Sequence, residues 1–81
     1  MPRLVRLIPL DRARLFVEFD DGTSGEVDMS ARLFGSVFEP LRDPAIFAQV
    51  VLDEYGAPSW PTGADLAPDA IYQTLRAQVA N

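Results

Sequence analysis

The sequence predicts an α+β fold: a small antiparallel β-sheet of hairpins packed with short helices and a C-terminal helix. Three observations carry this. Short apolar stretches fill the first third, each closed by a turn containing Asp or Gly. Asp43-Pro44 and Pro68-Asp69 mark helix starts further on. With 81 residues and a hydrophobic share of 48%, the chain suffices for one core and is too short for two, so residues 1–81 read as a single domain.

Residues 3–8 and 14–19 are rich in Leu, Val, Ile and Phe and flank a polar turn at Asp11-Arg12, which predicts two antiparallel strands. The next turn can be read to the register. A two-residue loop at Asp21-Gly22 sets Leu15 against Asp28 and Val17 against Glu26, mixing apolar and acidic groups on one face. A three-residue loop, Asp20-Asp21-Gly22, with Gly22 left-handed, pairs Leu15 with Val27, Val17 with Gly25 and Phe19 with Thr23. It also sets Arg14 opposite Asp28 as a cross-strand ion pair, and this register is adopted.

The segment from Met29 to Gln49 reads as more helical and is expected to cross one sheet face, with Ser30 to Phe34 ended by Gly35 and a turn at Phe38 to Leu41. Asp43 caps a short helix that has Pro44 in its first position and runs through Phe47, which points to the core. Val50 to Asp53 and the stretch near Ser59-Trp60 read as two strands joined at Glu54-Tyr55-Gly56 that complete the sheet. The last helix opens at Pro68, carries Asp69 near its positive end, and buries Ile71, Leu75 and Val79. Leu66, before the cap Ala67, is placed to pack on Ile71 as a hydrophobic staple.

The sequence contains no cysteine and no histidine, which removes thiolate and imidazole nucleophiles, bases and metal ligands. The absence of cysteine fits a reducing compartment. The apolar start is broken by Arg6, Pro9 and Asp11, unlike a signal peptide, and no run approaches a membrane span, so the expected location is cytoplasmic, with no membrane partner. The seven basic residues are all arginine and face twelve acids, for a net charge of −5. They are dispersed, five against seven acids in residues 1–40 and two against five in 41–81, so no direct nucleic acid binding is expected.

Each candidate site has a plain structural role as its alternative. The acids Glu18, Asp20, Asp21, Glu26 and Asp28 lack the spacing of a calcium loop and read as a solvated hairpin. Asp53, Glu54, Asp65 and Asp69 could supply paired carboxylates, but acids fall near one another by chance in an acidic domain. The glycines lack phosphate-loop spacing. Phe16, Phe19, Phe34, Phe38, Phe47 and Trp60 lie in core-like patterns without interleaved arginines. No catalytic residue, cofactor site or metal site is expected.

The most distinctive stretch is Trp60-Pro61-Thr62-Gly63-Ala64-Asp65-Leu66-Ala67-Pro68-Asp69-Ala70-Ile71-Tyr72. Together with Phe19-Asp20-Asp21-Gly22, Asp28, Phe38 to Leu41 and Phe47, it resembles family 2442 of the domains of unknown function (DUF2442), with Ile71 where Leu is usual. The resemblance spans nearly the whole chain. It implies a small prokaryotic α+β domain, alone or joined to a helix-turn-helix domain, often encoded beside a second small family, 4160 of the same series. It also implies a protein-binding, antitoxin-like role with no established activity. Trp60, Pro61, Gly63, Asp65, Pro68, Tyr72 and Gly22 read as a structural motif: Trp60 fills the core, Pro61 and Gly63 turn the chain, and Asp65 bonds amides before the last helix.

The expected function is therefore a non-catalytic binding or regulatory module whose partner is a protein, a neighbouring-gene product in the family picture. The candidate interface is the first strand, Arg3, Leu4, Val5, Arg6, Leu7 and Ile8, which carries apolar residues on both faces at a sheet edge. The same edge could join two copies as a homodimer. Two other classes compete: an acidic DNA mimic that inhibits a defence nuclease, and an uncharacterised carboxylate-based enzyme.

Overall fold

Alternation of buried and exposed side chains along residues 14–19 builds the centre of the molecule. In the computed structural model, which describes residues 2–79, β2 (Arg14–Phe19) buries Leu15, Val17 and Phe19 on one face. It lies between β1 (Leu4–Leu10) and β3 (Ser24–Asp28) in an antiparallel sheet of order β1-β2-β3. Met1, Ala80 and Asn81 lie outside the described residues.

The β2–β3 register is the one an apolar inner face requires. Leu15 pairs with Val27, Val17 with Gly25 and Arg14 with Asp28. The Asp20-Asp21-Gly22 loop is closed by Phe19 N–H donating to the Thr23 carbonyl at 2.8 Å and Gly22 N–H to the Phe19 carbonyl at 3.0 Å. Gly22 at φ +90° is the left-handed bulge residue. The same loop recurs twice. Residues 53–57 and 60–64 repeat both hydrogen bonds, with Gly56 at φ +77° and Gly63 at φ +94° in the equivalent position.

The predicted ion pair is corrected. Although Arg14 and Asp28 are register partners, the Arg14 guanidinium binds Asp11 at 2.7 Å and Glu26 at 2.8 Å. Asp28 instead accepts from the Ser30 N–H at 2.9 Å, because its carboxylate is closer in sequence to a free turn amide than to the guanidinium fork.

β1 runs two residues further than expected, to Leu10, and includes Pro9 opposite Leu15. A proline fits there because β1 is an outer strand, so its missing N–H belongs to the side with no neighbour. A bulge at Val5, between the pairs Leu4–Phe19 and Arg6–Glu18, shifts the alternation. Leu4 and Leu7 turn inward, and Val5 and Ile8 turn out.

Two 3₁₀ turns, Ser30–Arg32 and Glu39–Arg42, and the single-turn helix α1 (Pro44–Phe47) carry Leu33, Leu41 and Phe47 into the core. Asp43 caps α1 by accepting from the Ala45 N–H at 2.9 Å. Phe34, expected in the core, is instead 67% exposed, because Gly35 at φ +86° ends the turn and reverses the chain beyond it. β4 (Val51–Leu52) and β5 (Pro58–Ser59) pair with each other as a separate two-stranded sheet and do not complete the first one. Beyond β4, the Ser59 backbone bridges to Asp65 in the turn that follows.

α2 (Pro68–Val79) buries Ile71 and Leu75 in the same core as Leu66, while the side chain of Val79 lies outside the described part. α2 approaches β3 where Gly25 has no side chain: a Cβ there would sit 2.7 Å from Leu75 Cδ1. None of the described helices is long and apolar enough to cross a membrane.

Candidate functional site

Two surface regions bring together residues that could act on something outside the molecule. The first is built on β1. Its six candidate residues divide by face: Leu4 is buried and Leu7 packs against the core, while Val5 is 54% and Ile8 37% exposed. Arg3 and Arg6 are exposed; the Arg3 N–H donates to Asp20 Oδ1 at 3.0 Å, and the Arg6 guanidinium lies 4.0 Å from Glu18.

Directly paired residues share a sheet face. Ile8 pairs with Phe16, and Phe16 with Glu26. Phe16, which sequence reasoning placed in a core-like pattern, therefore stands on the face opposite Leu15 and Val17, half-buried and apart from the core. Period-two alternation from Leu15 could have revealed it. The outer face thus carries an apolar strip, Ile8 and Phe16 with Leu10 beside them. It is rimmed by the Arg6–Glu18 and Arg14–Glu26 pairs.

The second region is a cleft of about 450 Å³ between the β1–β2 loop and the 30–47 segment. Leu33, Leu41 and Phe47 form its floor, Leu10, Ala13 and Pro44 its walls, and Asp11, Arg12, Ser30 and Arg42 its rim. The loop residues Arg12 and Ala13 both have φ +58°, a left-handed pair in which neither residue is glycine. The Ala13 carbonyl accepts from the Met29 N–H at 2.8 Å, fixing the loop against the following segment. Sequence reasoning missed this cleft, since its walls come from three separated stretches with no shared motif.

Many of the acids have local structural duties. Asp20, Asp21, Asp28, Asp43 and Asp53 each accept a hydrogen bond from a backbone amide, Asp53 from both Tyr55 and Ala57. The hydrogen bond from Arg14, and then its charge, hold the Asp11 carboxyl below the usual carboxylate range. The Tyr72 hydroxyl and then the Thr23 amide do the same for Asp21, and the Ser30 amide for Asp28. Asp11 and Glu26 raise Arg14 in turn. Among the described residues no three acids gather into a group that could hold a metal ion.

The Trp60 motif forms a packed corner. Trp60 is 5% exposed, its indole Nε1–H donates to the Phe47 carbonyl at 2.9 Å, and its ring centroid lies 5.8 Å from that of Phe47. Pro61 and Gly63 lie in the exposed loop of residues 60–64. Pro68 opens α2, and Tyr72 stands edge-on to Phe19 with centroids 4.9 Å apart while donating to Asp21 at 2.7 Å. Asp65 departs from expectation. It is exposed, its backbone bridges to Ser59, and its carboxylate has no hydrogen-bond partner among the described residues. The Ala64 carbonyl and Leu66 N–H carry the backbone bonds that hold this corner.

A small antiparallel sheet backed by a C-terminal helix, with a Trp-Pro-x-Gly corner and an Asp-Asp-Gly hairpin, defines the class. Residues 4–77 match the family model described as a protein of unknown function (DUF2442), and the chain belongs to that family. No curated protein and no solved structure matches it.

Proposed function

We propose that this protein is a non-catalytic, antitoxin-like or regulatory module that binds a second small protein through β1 and the outer face of its sheet. The observation that carries this reading is the open edge. β1 pairs on one side only, Val5 is exposed at its bulge, and Ile8 is exposed beside Phe16 in an apolar strip rimmed by ion pairs. Such a rim leaves the strip's centre free to lose water on contact while the charges fix orientation. A net charge of −5 favours a basic partner, and the genomic neighbour is the first candidate. The absence of cysteine suits a cytoplasmic setting.

Local hydrogen bonding weighs against the DNA-mimic reading, since five aspartates are turned to backbone amides and two further acids to Arg14. Weighing against the carboxylate enzyme, every acid whose pKa moves is lowered, whereas a general acid at neutral pH needs it raised.

Hydrogen exchange over residues 3–10 tests the reading. Protection that rises with the partner present and not on concentrating the isolated chain supports it. A rise on concentration alone identifies a homodimer instead. Equal protection in all three conditions removes β1 as the interface.

A further inference from the structure

We propose that the cleft between the β1–β2 loop and the 30–47 segment binds a small apolar carboxylate, with Arg12 and Arg42 receiving its charged end. The volume, about 450 Å³, falls within the range of ligand sites in general. The floor is part of the core, as Leu33, Leu41 and Phe47 are buried, so the cleft exists before any ligand arrives. The lining is mostly aliphatic and aromatic, which demands an apolar body.

The rim demands an anion. Asp11, on the same rim, is engaged by Arg14 at 2.7 Å and forms no ion pair with its neighbour Arg12, whose charge it feels only at longer range. Arg12 has no ion-pair or side-chain hydrogen-bond partner among the described residues. Arg42 uses Nε to hold the Leu33 carbonyl at 2.6 Å, which aims the guanidinium while its terminal nitrogens stay unpaired among the described residues. Two guanidiniums without carboxylate partners at one opening stand out in a chain of net charge −5. Guanidiniums bind carboxylates through paired N–H donors. A singly charged carboxylate also costs less to bring beside an apolar wall than a doubly charged phosphate. A peptide suits the cleft less well, because each of its amides would need a partner and Ser30 supplies the main uncharged one.

The left-handed pair Arg12 and Ala13 fits this reading. Backbone held in a sparsely populated conformation persists where the surroundings impose it, and here it presents Arg12 at the opening.

The test uses decanoate, its uncharged analogue decanol, and a short peptide ending in leucine, each titrated below micelle formation while the amide NMR signals are followed. Decanoate is expected to shift residues 10–13, 30–33 and 41–47 and to bind about tenfold more tightly than decanol, the effect of one charge-assisted contact. Arg12→Gln, at an exposed loop position, should reduce that preference severalfold and leave decanol binding unchanged. Ser30→Phe should fill the cleft and abolish both. Equal affinity for decanoate and decanol, shifts confined to the outer sheet face, or a peptide that binds more tightly than decanoate each overturns the proposal. Because the readout, Leu10 apart, lies outside β1, its failure leaves the protein-binding reading intact.

Discussion

Tyr72 and Asp21, 51 residues apart in sequence, are joined by a hydrogen bond of 2.7 Å that ties the C-terminal helix to the tip of the central hairpin. The Tyr72 ring stands edge-on to Phe19, so one side chain supplies both an aromatic contact and a polar latch. Tyr72→Phe keeps the ring and loses the latch, and is expected to lower the urea midpoint slightly. Tyr72→Ala loses both and should cost about 2–3 kcal/mol, below the figure for a fully buried aromatic. In an Asp21→Asn background, Tyr72→Phe should lose most of its effect, which a double-mutant cycle measures.

The same latch sets an acid limit. Hydrogen bonds from Tyr72 and Thr23 lower the Asp21 carboxyl in the folded state, and Asp28 and Asp11 are lowered likewise. Across the interval between folded and unfolded values the unfolded chain binds more protons. The stabilisation is therefore complete above the unfolded carboxylate value of about 3.9 and is lost as pH falls through the folded values. Urea midpoints taken from about pH 6 down to about pH 3 should fall along this limb, and Asp21→Asn should flatten part of it. An unchanged limb in that variant would refute the role of the latch.

Trp60→Ala should destabilise the fold by about 3–5 kcal/mol, because a buried indole leaves a cavity behind. Trp60→Phe keeps much of the volume and removes the indole N–H from the Phe47 carbonyl, which keeps the Val50 N–H at 3.3 Å, and should cost about 0.5–1.5 kcal/mol. Denaturant midpoints unchanged in both variants would contradict the packing at this corner.

Gly25→Ala should cost about 1 kcal/mol, since the new methyl would sit 2.7 Å from Leu75 Cδ1 and the buried Leu75 side chain has to shift to admit it. Shortening the neighbour in the double variant Gly25→Ala/Leu75→Val should recover part of the loss relative to the sum of the single variants.

Ala13→Gly should raise stability by about 0.5–1 kcal/mol by relieving a left-handed alanine, offset in part by the greater freedom of glycine when unfolded. A lowered thermal midpoint would show that the methyl's contact with the core outweighs the backbone strain.

How far the sequence reaches depends on how local the deciding physics is. The β2–β3 register was readable because an apolar face and a glycine at the loop agree on one answer. The α1 cap was readable because Asp43 and Pro44 act within one turn. The destination of the Arg14 guanidinium was not, since three acids lie within reach and turn geometry decides among them. Nor was the separation of β4 and β5, because two-residue strands carry no alternation pattern. Of the candidate interface, the edge position and doubled apolar content of β1 were visible. The bulge at Val5 that sorts its side chains, and the placing of Phe16 beside Ile8, required the pairing. The cleft was invisible for the same reason.

Pro9 gives the outer strand a property of its own. An exposed edge ordinarily acts as a template on which identical strands can stack without end, each copy presenting the next with a fresh row of donors and acceptors. Pro9 breaks that row, since at its position the unpaired side of β1 has a carbonyl and no amide hydrogen. A visiting strand can satisfy itself beside Leu7 and finds the ladder cut two residues later. The edge therefore offers an unbroken ladder over a short length only, which works against endless stacking of copies. Replacing Pro9 with valine would restore the missing donor and is expected to raise the tendency of this edge to aggregate.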